Sequence, residues 1–286
     1  MVNKESKVLF PFSNDYVCGA VVERNPEIAK GILKVAVGKY LEGIDLDKLE
    51  IRKQETVDTS KEAKGIRFDV YMKTDEAVFD LEMQTNKERD LVKRARYYLS
   101  VNDTENLRRG ERYEKLPKTI IIFICTFDPF GLGYGKYVAE ERLTVTDEKG
   151  KVKDVTEETQ YESGYAKIFL NTKGEKGIDE SLRNLLKYVE TDEPTDELTE
   201  EMAEQVVEVN KTDREALMTL QEKYEDYEAK GMAKGMEKGM EKGLAEGKIK
   251  KEAELILAMY EEGGLTIRQI ANITKCSEDK VREIIG

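Results

Sequence analysis

The stretch 65-GIRFDVYMKTDEAVFDLEMQT-85 contains two short runs rich in β-branched and aromatic residues, separated by Thr74-Asp75-Glu76. Two such runs with three residues between them have the spacing of a β-hairpin, although the turn lacks glycine. Side chains along a strand point alternately to its two faces. The second run therefore places Asp80, Glu82 and Gln84 on one face of the predicted hairpin.

The polar face of this hairpin is a candidate site. Phe79 and Leu81 point to the opposite face, and pairing of the two runs would bring Asp69 next to Glu82 and Gln84. A hard divalent cation such as Mg²⁺ binds one or two carboxylates together with water and phosphate oxygens. It can polarise a phosphodiester and lower the pKa of the attacking water. Acidic residues at strand edges are also common without a function, and the spacing Asp-x(12)-Glu-x-Gln alone leaves both interpretations open.

The composition excludes several catalytic classes. The chain has no histidine, which removes Ser-His-Asp and Cys-His catalysis and HExxH zinc sites. It also lacks a GxxxxGK[ST] loop and a GxGxxG motif, so nucleotide-cofactor chemistry has no support. An enzyme of this composition must use carboxylates, lysines, tyrosines or a cation held by oxygen ligands.

The charge is unevenly distributed. The net charge is −12, which argues against a generally basic nucleic-acid-binding surface. Residues 85–118, however, contain ten Lys/Arg against six Asp/Glu, whereas residues 139–208 contain nine against twenty. The acidity is therefore concentrated away from the segment that follows the candidate site.

The location is predicted to be the cytoplasm. Cys18, Cys125 and Cys276 are far apart and odd in number, which indicates free thiols in a reducing compartment. No apolar run approaches the roughly 20 residues needed to cross a bilayer, and the first residues do not resemble a signal peptide. A membrane association is not expected.

The rest of the first 190 residues alternates between helical and strand patterns. Ser13-Asn14-Asp15 and Pro26-Glu27 are typical of helix starts. The other predicted elements are an exposed strand at 49–57, a long amphipathic helix at 86–109, a buried central strand at 119–128, two strands at 136–145 and 165–171, and a helix at 178–189.

Residues 230–247 form a four-residue repeat with glycine at 231, 235, 239, 243 and 247. Five glycines would cost a helix about 5 kcal/mol relative to alanine. We therefore expect a linker or a helix that orders only when it is paired, and repeat expansion without a specific role is a further alternative. A membrane interpretation fails because charges recur in every turn.

Residues 248–286 are predicted to form three short helices, with Thr266 capping the second and Ser277 starting the third. Helix, short turn and helix is the helix-turn-helix pattern. Its charge is balanced, whereas a recognition helix usually brings positive charge to phosphates. The pattern is therefore consistent with a DNA-binding domain and equally with a small helical cap or dimerisation element.

An ordered set of motifs resembles a known family. The strings IRFDVYM, LEMQ, KRARYYLS and YEKLPKTIIIFICTFDPF occur in this order, after the entry SNDYVCGAVVERNPEIAKGIL. Together they resemble the Rpn family of recombination-promoting nucleases and putative transposases, a branch of the PD-(D/E)XK nuclease superfamily. The resemblance covers roughly residues 8–190, and the glycine repeat and small helical C-terminus are also similar to members of this family.

The resemblance implies an α/β fold with a restriction-endonuclease-like core, a mixed β-sheet flanked by helices, and Mg²⁺-dependent cleavage of DNA, with Mn²⁺ as a substitute. Carried over to this chain, it makes Asp69 and Glu82 the metal ligands and adds Gln84 to the catalytic set. Gln84 occupies the position where the superfamily signature has lysine. A glutamine supplies no charge, so slower chemistry or compensation by a basic neighbour is expected.

Three further residues are candidate accessory positions. Arg94 or Arg96 on the predicted helix would compensate for the missing lysine, since an arginine can bind a phosphate through two hydrogen bonds; a solvated arginine is the alternative. Asp15 would supply a third acidic group or merely cap the first helix. Tyr97 and Tyr98 are assigned to core packing in preference to DNA stacking.

We therefore predict a nuclease-like domain at 1–190, an acidic helical arm at 191–229, the repeat at 230–247 and a helix-turn-helix-like domain at 248–286. The predicted function is a metal-dependent DNA endonuclease that contributes to DNA recombination or transposon-related processing. The alternative is a catalytically weak or inactive module that binds DNA or oligomerises. In a third interpretation, the acidic arm and the glycine repeat form homo-oligomers that pair two nuclease cores for double-strand cutting.

Overall fold

The structure is a computed structural model that describes residues 9–53, 56–57, 66–87 and 90–286. The chain divides into two compact units, residues 1–217 and 218–286. The residues predicted as an acidic arm, 191–229, thus lie partly in each unit. Parts of the predicted strand at 49–57 and of the first hairpin run lie outside the described residues.

The strands occupy the first unit. They are β1 (Glu50–Lys53), β2 (Thr56–Val57), β3 (Ile66–Arg67), β4 (Val70–Lys73), β5 (Ala77–Gln84), β6 (Lys118–Cys125), β7 (Lys136–Ala139), β8 (Thr144–Thr146), β9 (Val152–Asp154) and β10 (Tyr165–Asn171). Within the described residues, a six-stranded sheet has the order β1-β4-β5-β6-β10-β7. The pairs β5–β6 and β6–β10 are parallel and the others are antiparallel. The sheet is therefore mixed, as the family resemblance implies.

The helices of the first unit are α1 (Asp15–Arg24), α2 (Pro26–Val37), α3 (Leu91–Asn106), α4 (Thr156–Thr159), α5 (Glu180–Thr191) and α6 (Glu197–Thr212). Helices α1, α2, α5 and α6 supply buried residues to the core on one face of the sheet. Helix α3 packs against the other face. The architecture is α/β, with helices on both faces of a mixed sheet, which confirms the predicted fold class.

The hairpin β4–β5 forms without glycine in its turn. The hydroxyl of Thr74 accepts hydrogen bonds from the amides of Glu76 (3.2 Å) and Ala77 (3.1 Å), and the Thr74 amide donates to the Ala77 carbonyl (2.8 Å). A threonine side chain that bonds to the backbone in this way closes a turn with ordinary backbone angles. The turn therefore does not need the left-handed conformation that favours glycine.

The two faces of the sheet at β5 and β6 pack against different helices. Phe79, Leu81 and Met83 belong to the core beneath α1 and α2, whereas Phe123 and Cys125 of β6 belong to the core beneath α3. Because alternate side chains share a face, the polar residues of β5 point toward α3. All eight residues of β5 are buried.

Helix α6 belongs to the core of the first unit. Met202, Val206 and Val209 are buried with residues of α1 and α2. The helix begins with a capping box between Asp196 and Thr199, which satisfies free amides of the first turn. This part of the acidic segment is amphipathic, and its charges lie on the outer face.

Helix α7 (Arg214–Glu261) begins in the first unit and ends in the second. The five glycines of the repeat lie within it. The second unit also contains α8 (Ile267–Thr274) and α9 (Glu278–Ile285), which pack around Ile256, Ile270 and Val281. Thr266 and Ser277 are N-caps, as the sequence predicts. Among the described helices, none has a stretch apolar and long enough to cross a membrane.

Candidate active site

Asp69 and Glu82 face each other across the β4–β5 hairpin. Asp69 lies between β3 and β4, just before the pair Val70↔Leu81. Its backbone amide donates a hydrogen bond to Oε1 of Glu82 (3.0 Å), and the amide of Met83 donates to Oδ2 of Asp69 (2.9 Å). Each carboxylate is thus held by an amide of the other's strand. The prediction that the hairpin brings these two residues together is confirmed.

Both carboxylates are removed from water. Asp69 is 7% exposed and Glu82 is fully buried. Burial raises the pKa of Asp69 to about 6, and the charge of Asp15 adds to the effect, although the Met83 amide opposes it. Burial and the nearby Asp69 raise the pKa of Glu82 to about 8, against the lowering effects of the Asp69 amide and Arg94. Two negative charges in such a site call for a cationic partner.

Arg94 supplies positive charge at this point. Its Nη2 lies 2.7 Å from Oε2 of Glu82, and its Nη1 donates to Oε1 of Gln84 (2.6 Å). The Gln84 amide nitrogen in turn donates to the carbonyl of Asn86 (2.6 Å). Gln84 therefore orients the guanidinium next to the Glu82 carboxylate.

The helix α3 aims Arg94 at the site through its packing. Tyr98, one turn further along, is 6% exposed and packs edge-on against Phe68. The guanidinium of Arg94 lies 5.1 Å from the ring centroid of Tyr98 and 5.5 Å from that of Phe123, and it donates to the Tyr98 hydroxyl (3.0 Å). Cations are attracted to aromatic faces at such distances. Tyr98 thus packs in the core, as predicted, and its ring and hydroxyl also hold the Arg94 side chain in position.

The two candidate arginines have different surroundings. The Arg94 side chain is 27% exposed and bonds to Glu82, whereas Arg96 is exposed. Residues two apart on a helix do not share a face, so only one of them can point into the site. The structure brings Arg94, and not Arg96, to the carboxylates.

Asp15 lies at the start of α1 without capping it, because Asn14 is the N-cap. Its Oδ2 forms an ion pair with Arg67 (3.0 Å). Helix α1 is close to the site, since a Cβ added to Gly19 would lie 3.2 Å from the carbonyl oxygen of Asp69. Asp15 thus contributes a negative charge near Asp69, and the Asp15 carboxylate is itself paired with Arg67.

Asp80 belongs to the same cluster, and the sequence assigned it no role. It is fully buried, and neither carboxyl oxygen has a hydrogen-bond partner among the described residues. Burial, and then the charges of Glu82 and Asp69, raise its pKa well above 3.8. The signal available in the sequence was the alternation Asp80-x-Glu82-x-Gln84, which places three polar side chains on a face that packs against a helix.

The carboxylate oxygens of Asp69 and Glu82 are donors of the kind that a hard divalent cation binds. In the residues that the structure describes, no group of three acidic, cysteine or histidine side chains is arranged to enclose a metal. A closed protein site of the structural-zinc type is therefore not formed there. Mg²⁺ differs, because it needs one or two carboxylates and completes its shell with water and phosphate. The carboxylates of Asp69 and Glu82 meet that requirement.

Comparison with known proteins identifies the family. A family model described as PD-(D/E)XK nuclease family transposase matches residues 21–239. The matched span covers most of the chain and includes the hairpin and Arg94. Searches of curated proteins and of solved structures find no match. The chain therefore belongs to the PD-(D/E)XK nuclease family transposases, which confirms the resemblance found in its sequence.

Proposed function

We propose that the chain is a Mg²⁺-dependent DNA endonuclease that hydrolyses phosphodiester bonds. Its active site consists of Asp69, Glu82 and Gln84, and Mn²⁺ can substitute for Mg²⁺. The observation that supports this function is the crosswise pairing across the hairpin, in which the Asp69 amide donates to Glu82 and the Met83 amide donates to Asp69, with Arg94 beside them. A nuclease of this family would contribute to DNA recombination or transposon-related processing through the breaks that it makes.

The protein residues would act as follows. Asp69 and Glu82 would hold the ion, and a bound ion would polarise the scissile phosphate and lower the pKa of the attacking water. Arg94 keeps a positive charge next to Glu82 and can donate to phosphate oxygens as negative charge develops there. Gln84 orients Arg94, and the free lone pair of its Oε1 can accept a hydrogen bond from the water.

The test is Mg²⁺-dependent nicking of a supercoiled plasmid. We expect Asp69→Ala and Glu82→Gln to abolish nicking and to lose Mn²⁺ binding in calorimetric titration. Glu148→Ala is the matched control, because Glu148 is exposed in the turn between β8 and β9. Equal nicking by Asp69→Ala and Glu148→Ala would show that the activity comes from another protein.

A second candidate function is a DNA-binding or oligomerising module without catalysis. The observation in its favour is that Arg94 already neutralises Glu82 at 2.7 Å, while the lysine of the superfamily signature is absent. Mn²⁺ titration separates the two candidates. Binding that depends on Asp69 supports the endonuclease, whereas no binding at millimolar Mn²⁺ together with retained DNA binding supports the module.

A further inference from the structure

The loop of residues 126–135, called here the 126–135 loop, begins beside the candidate site. It follows β6, and the register Gln84↔Cys125 places the ends of β5 and β6 side by side. The amide of Thr126 donates to the carbonyl of Gln84 (3.1 Å), and its hydroxyl donates to the carbonyl of Thr85 (3.3 Å). The first residue of the loop is thus bonded directly to the strand that bears Glu82.

The loop has a fixed conformation. The carboxylate of Asp128 accepts hydrogen bonds from the amides of Phe130 (3.1 Å), Gly131 (2.9 Å) and Gly133 (2.7 Å), and from the hydroxyl of Tyr137 (2.9 Å). Both glycines have positive φ, 73° and 75°, a conformation that other residues adopt only with strain. A single carboxylate therefore organises the whole turn.

The end of the loop packs tightly against the chain that follows β10. A Cβ added to Gly174 would lie 2.2 Å from the carbonyl oxygen of Tyr134, and one added to Gly135 would lie 2.7 Å from the Ile178 side chain. The side-chain amide of Asn171 donates to the same Tyr134 carbonyl (2.9 Å). Such close backbone contact leaves the loop little freedom to fold inward over its apolar side chains.

This rigid loop nevertheless exposes apolar side chains. Phe130 is 41%, Leu132 61% and Tyr134 46% exposed. Beside them, the Lys176 ammonium lies 5.8 Å from the Tyr134 ring centroid and donates to the Leu132 carbonyl (3.2 Å). A set of apolar tips with a neighbouring cation is complementary to nucleic acid, which offers flat apolar bases next to phosphates.

The loop tip lies on the same face of the sheet as the carboxylates. Glu82, Phe123, Phe169 and Tyr137 are neighbours in one row across β5, β6, β10 and β7. The Phe130 ring packs edge-on against Phe169 (5.3 Å) and Tyr137 (4.8 Å). With strands about 4.8 Å apart, two strand steps separate Glu82 from Phe169 by about 10 Å. That is about three nucleotides at roughly 3.4 Å each.

We infer that Phe130, Leu132 and Tyr134 of the 126–135 loop contact nucleobases of the DNA about three nucleotides from the scissile phosphate, with Lys176 against the backbone. The inference rests on the proposed function, since it assumes DNA at the site. The loop positions the substrate and takes no part in the chemical step. Aromatic and apolar side chains that stack on bases, or wedge between them, act in this way without sequence preference.

The absence of tryptophan from the chain allows a direct test by fluorescence. Leu132→Trp places one fluorophore at the loop tip, and Tyr113→Trp places one at the opposite end of β6, where Tyr113 is 85% exposed. A duplex oligonucleotide is added with Ca²⁺ in place of Mg²⁺ to prevent cleavage. We expect DNA to quench the emission of Leu132→Trp and to leave that of Tyr113→Trp unchanged.

Affinity provides the second measurement. By anisotropy of the labelled oligonucleotide, Leu132→Ser and Tyr134→Ser should each weaken binding about tenfold, and Tyr113→Ser should not. If all variants bind DNA with equal affinity and DNA does not quench Leu132→Trp, the inference is overturned and the proposed endonuclease function is unaffected. A parent protein that binds no DNA overturns both.

Discussion

The guanidinium of Arg94 lies directly against Glu82, with 2.7 Å between Nη2 and Oε2, although Glu82 is fully buried and Arg94 reaches the surface. The buried carboxylate is thus neutralised by a residue of another element, twelve positions further along the chain. An arginine in this place retains its charge at any physiological pH. Under the proposed function, it supplies the charge that lysine has in the superfamily signature, at the position that Gln84 occupies.

Arg94→Ala should lower the rate of plasmid nicking by about 100-fold or more, because a charged donor at the developing phosphate charge is lost. Mn²⁺ affinity should not fall, since Glu82 loses a competing cation. Nicking assays and calorimetry on the same preparations measure the two effects. Arg96→Ala is the matched control, and a nicking rate in Arg94→Ala equal to that of the control would contradict the role of Arg94.

Gln84→Lys should not improve the enzyme, although it restores the residue of the superfamily signature. The new ammonium group would meet the guanidinium of Arg94, which lies 2.6 Å from Oε1 of Gln84, and like charges at such distances repel. We expect the single variant to be slower than the parent by about tenfold. The double variant Gln84→Lys/Arg94→Gln should be faster than Arg94→Gln alone, and a double variant no faster than Arg94→Gln would show that the two positions are not exchangeable.

Asp80→Asn should stabilise the metal-free protein increasingly as the pH rises. Burial, followed by the charges of Glu82 and Asp69, raises the pKa of folded Asp80 well above 3.8, so the unfolded chain releases this proton at a lower pH than the folded chain. The stability that protonated Asp80 provides is present below about pH 4 and is lost as the pH rises toward the folded pKa. Asparagine does not titrate.

The difference in the free energy of unfolding between Asp80→Asn and the parent should therefore grow by up to about 1.4 kcal/mol per pH unit. Urea unfolding in the presence of a chelator, between about pH 5 and pH 8, measures it. Asp75→Asn, in the exposed hairpin turn, controls for the loss of one carboxylate. A difference that does not change with pH would contradict a buried, protonated Asp80.

Gly235→Ala and Gly239→Ala should each stabilise helix α7 by about 1 kcal/mol, because alanine favours the helix over glycine. A Cβ added at either position meets no atom of the described residues within 4 Å. Circular dichroism during thermal unfolding measures the effect, and Ala233→Gly should have the opposite sign. Light scattering should give the same mass for all variants. A lower mass for the alanine variants would show instead that the glycines contact a second copy.

Several features were predictable because they depend on neighbouring residues. Alternation along a strand is a local property of the backbone, and this property is sufficient to place Asp80, Glu82 and Gln84 on one face. The apolar run at 119–128 has no polar face, which is typical of the buried central strand that β6 forms. The caps Thr266 and Ser277 act on amides within three residues.

Other features depend on which distant segments meet. The sequence could not choose between Arg94 and Arg96, because the choice requires the rotation of α3 about its axis, which its packing on Phe68 and Phe123 sets. The extent of the first unit is a similar case. The acidic composition of residues 191–229 suggested a separate arm. In the structure, the few apolar residues of α6 are sufficient to pack this helix against α1 and α2.

The hairpin strands, the buried strand β6 and the shared face of Asp80, Glu82 and Gln84 thus follow from the sequence alone, since they depend on backbone periodicity and on side chains a few positions apart. The strand predicted at 136–145 was wrong in its extent, because the structure has β7 and β8 there. The tertiary structure decided the partners: the crosswise amides of Asp69 and Met83, the arginine that neutralises Glu82 and the exposed tip of the 126–135 loop. Each of these is a contact between side chains and backbone of different elements, and its free energy depends on burial that only the folded chain creates.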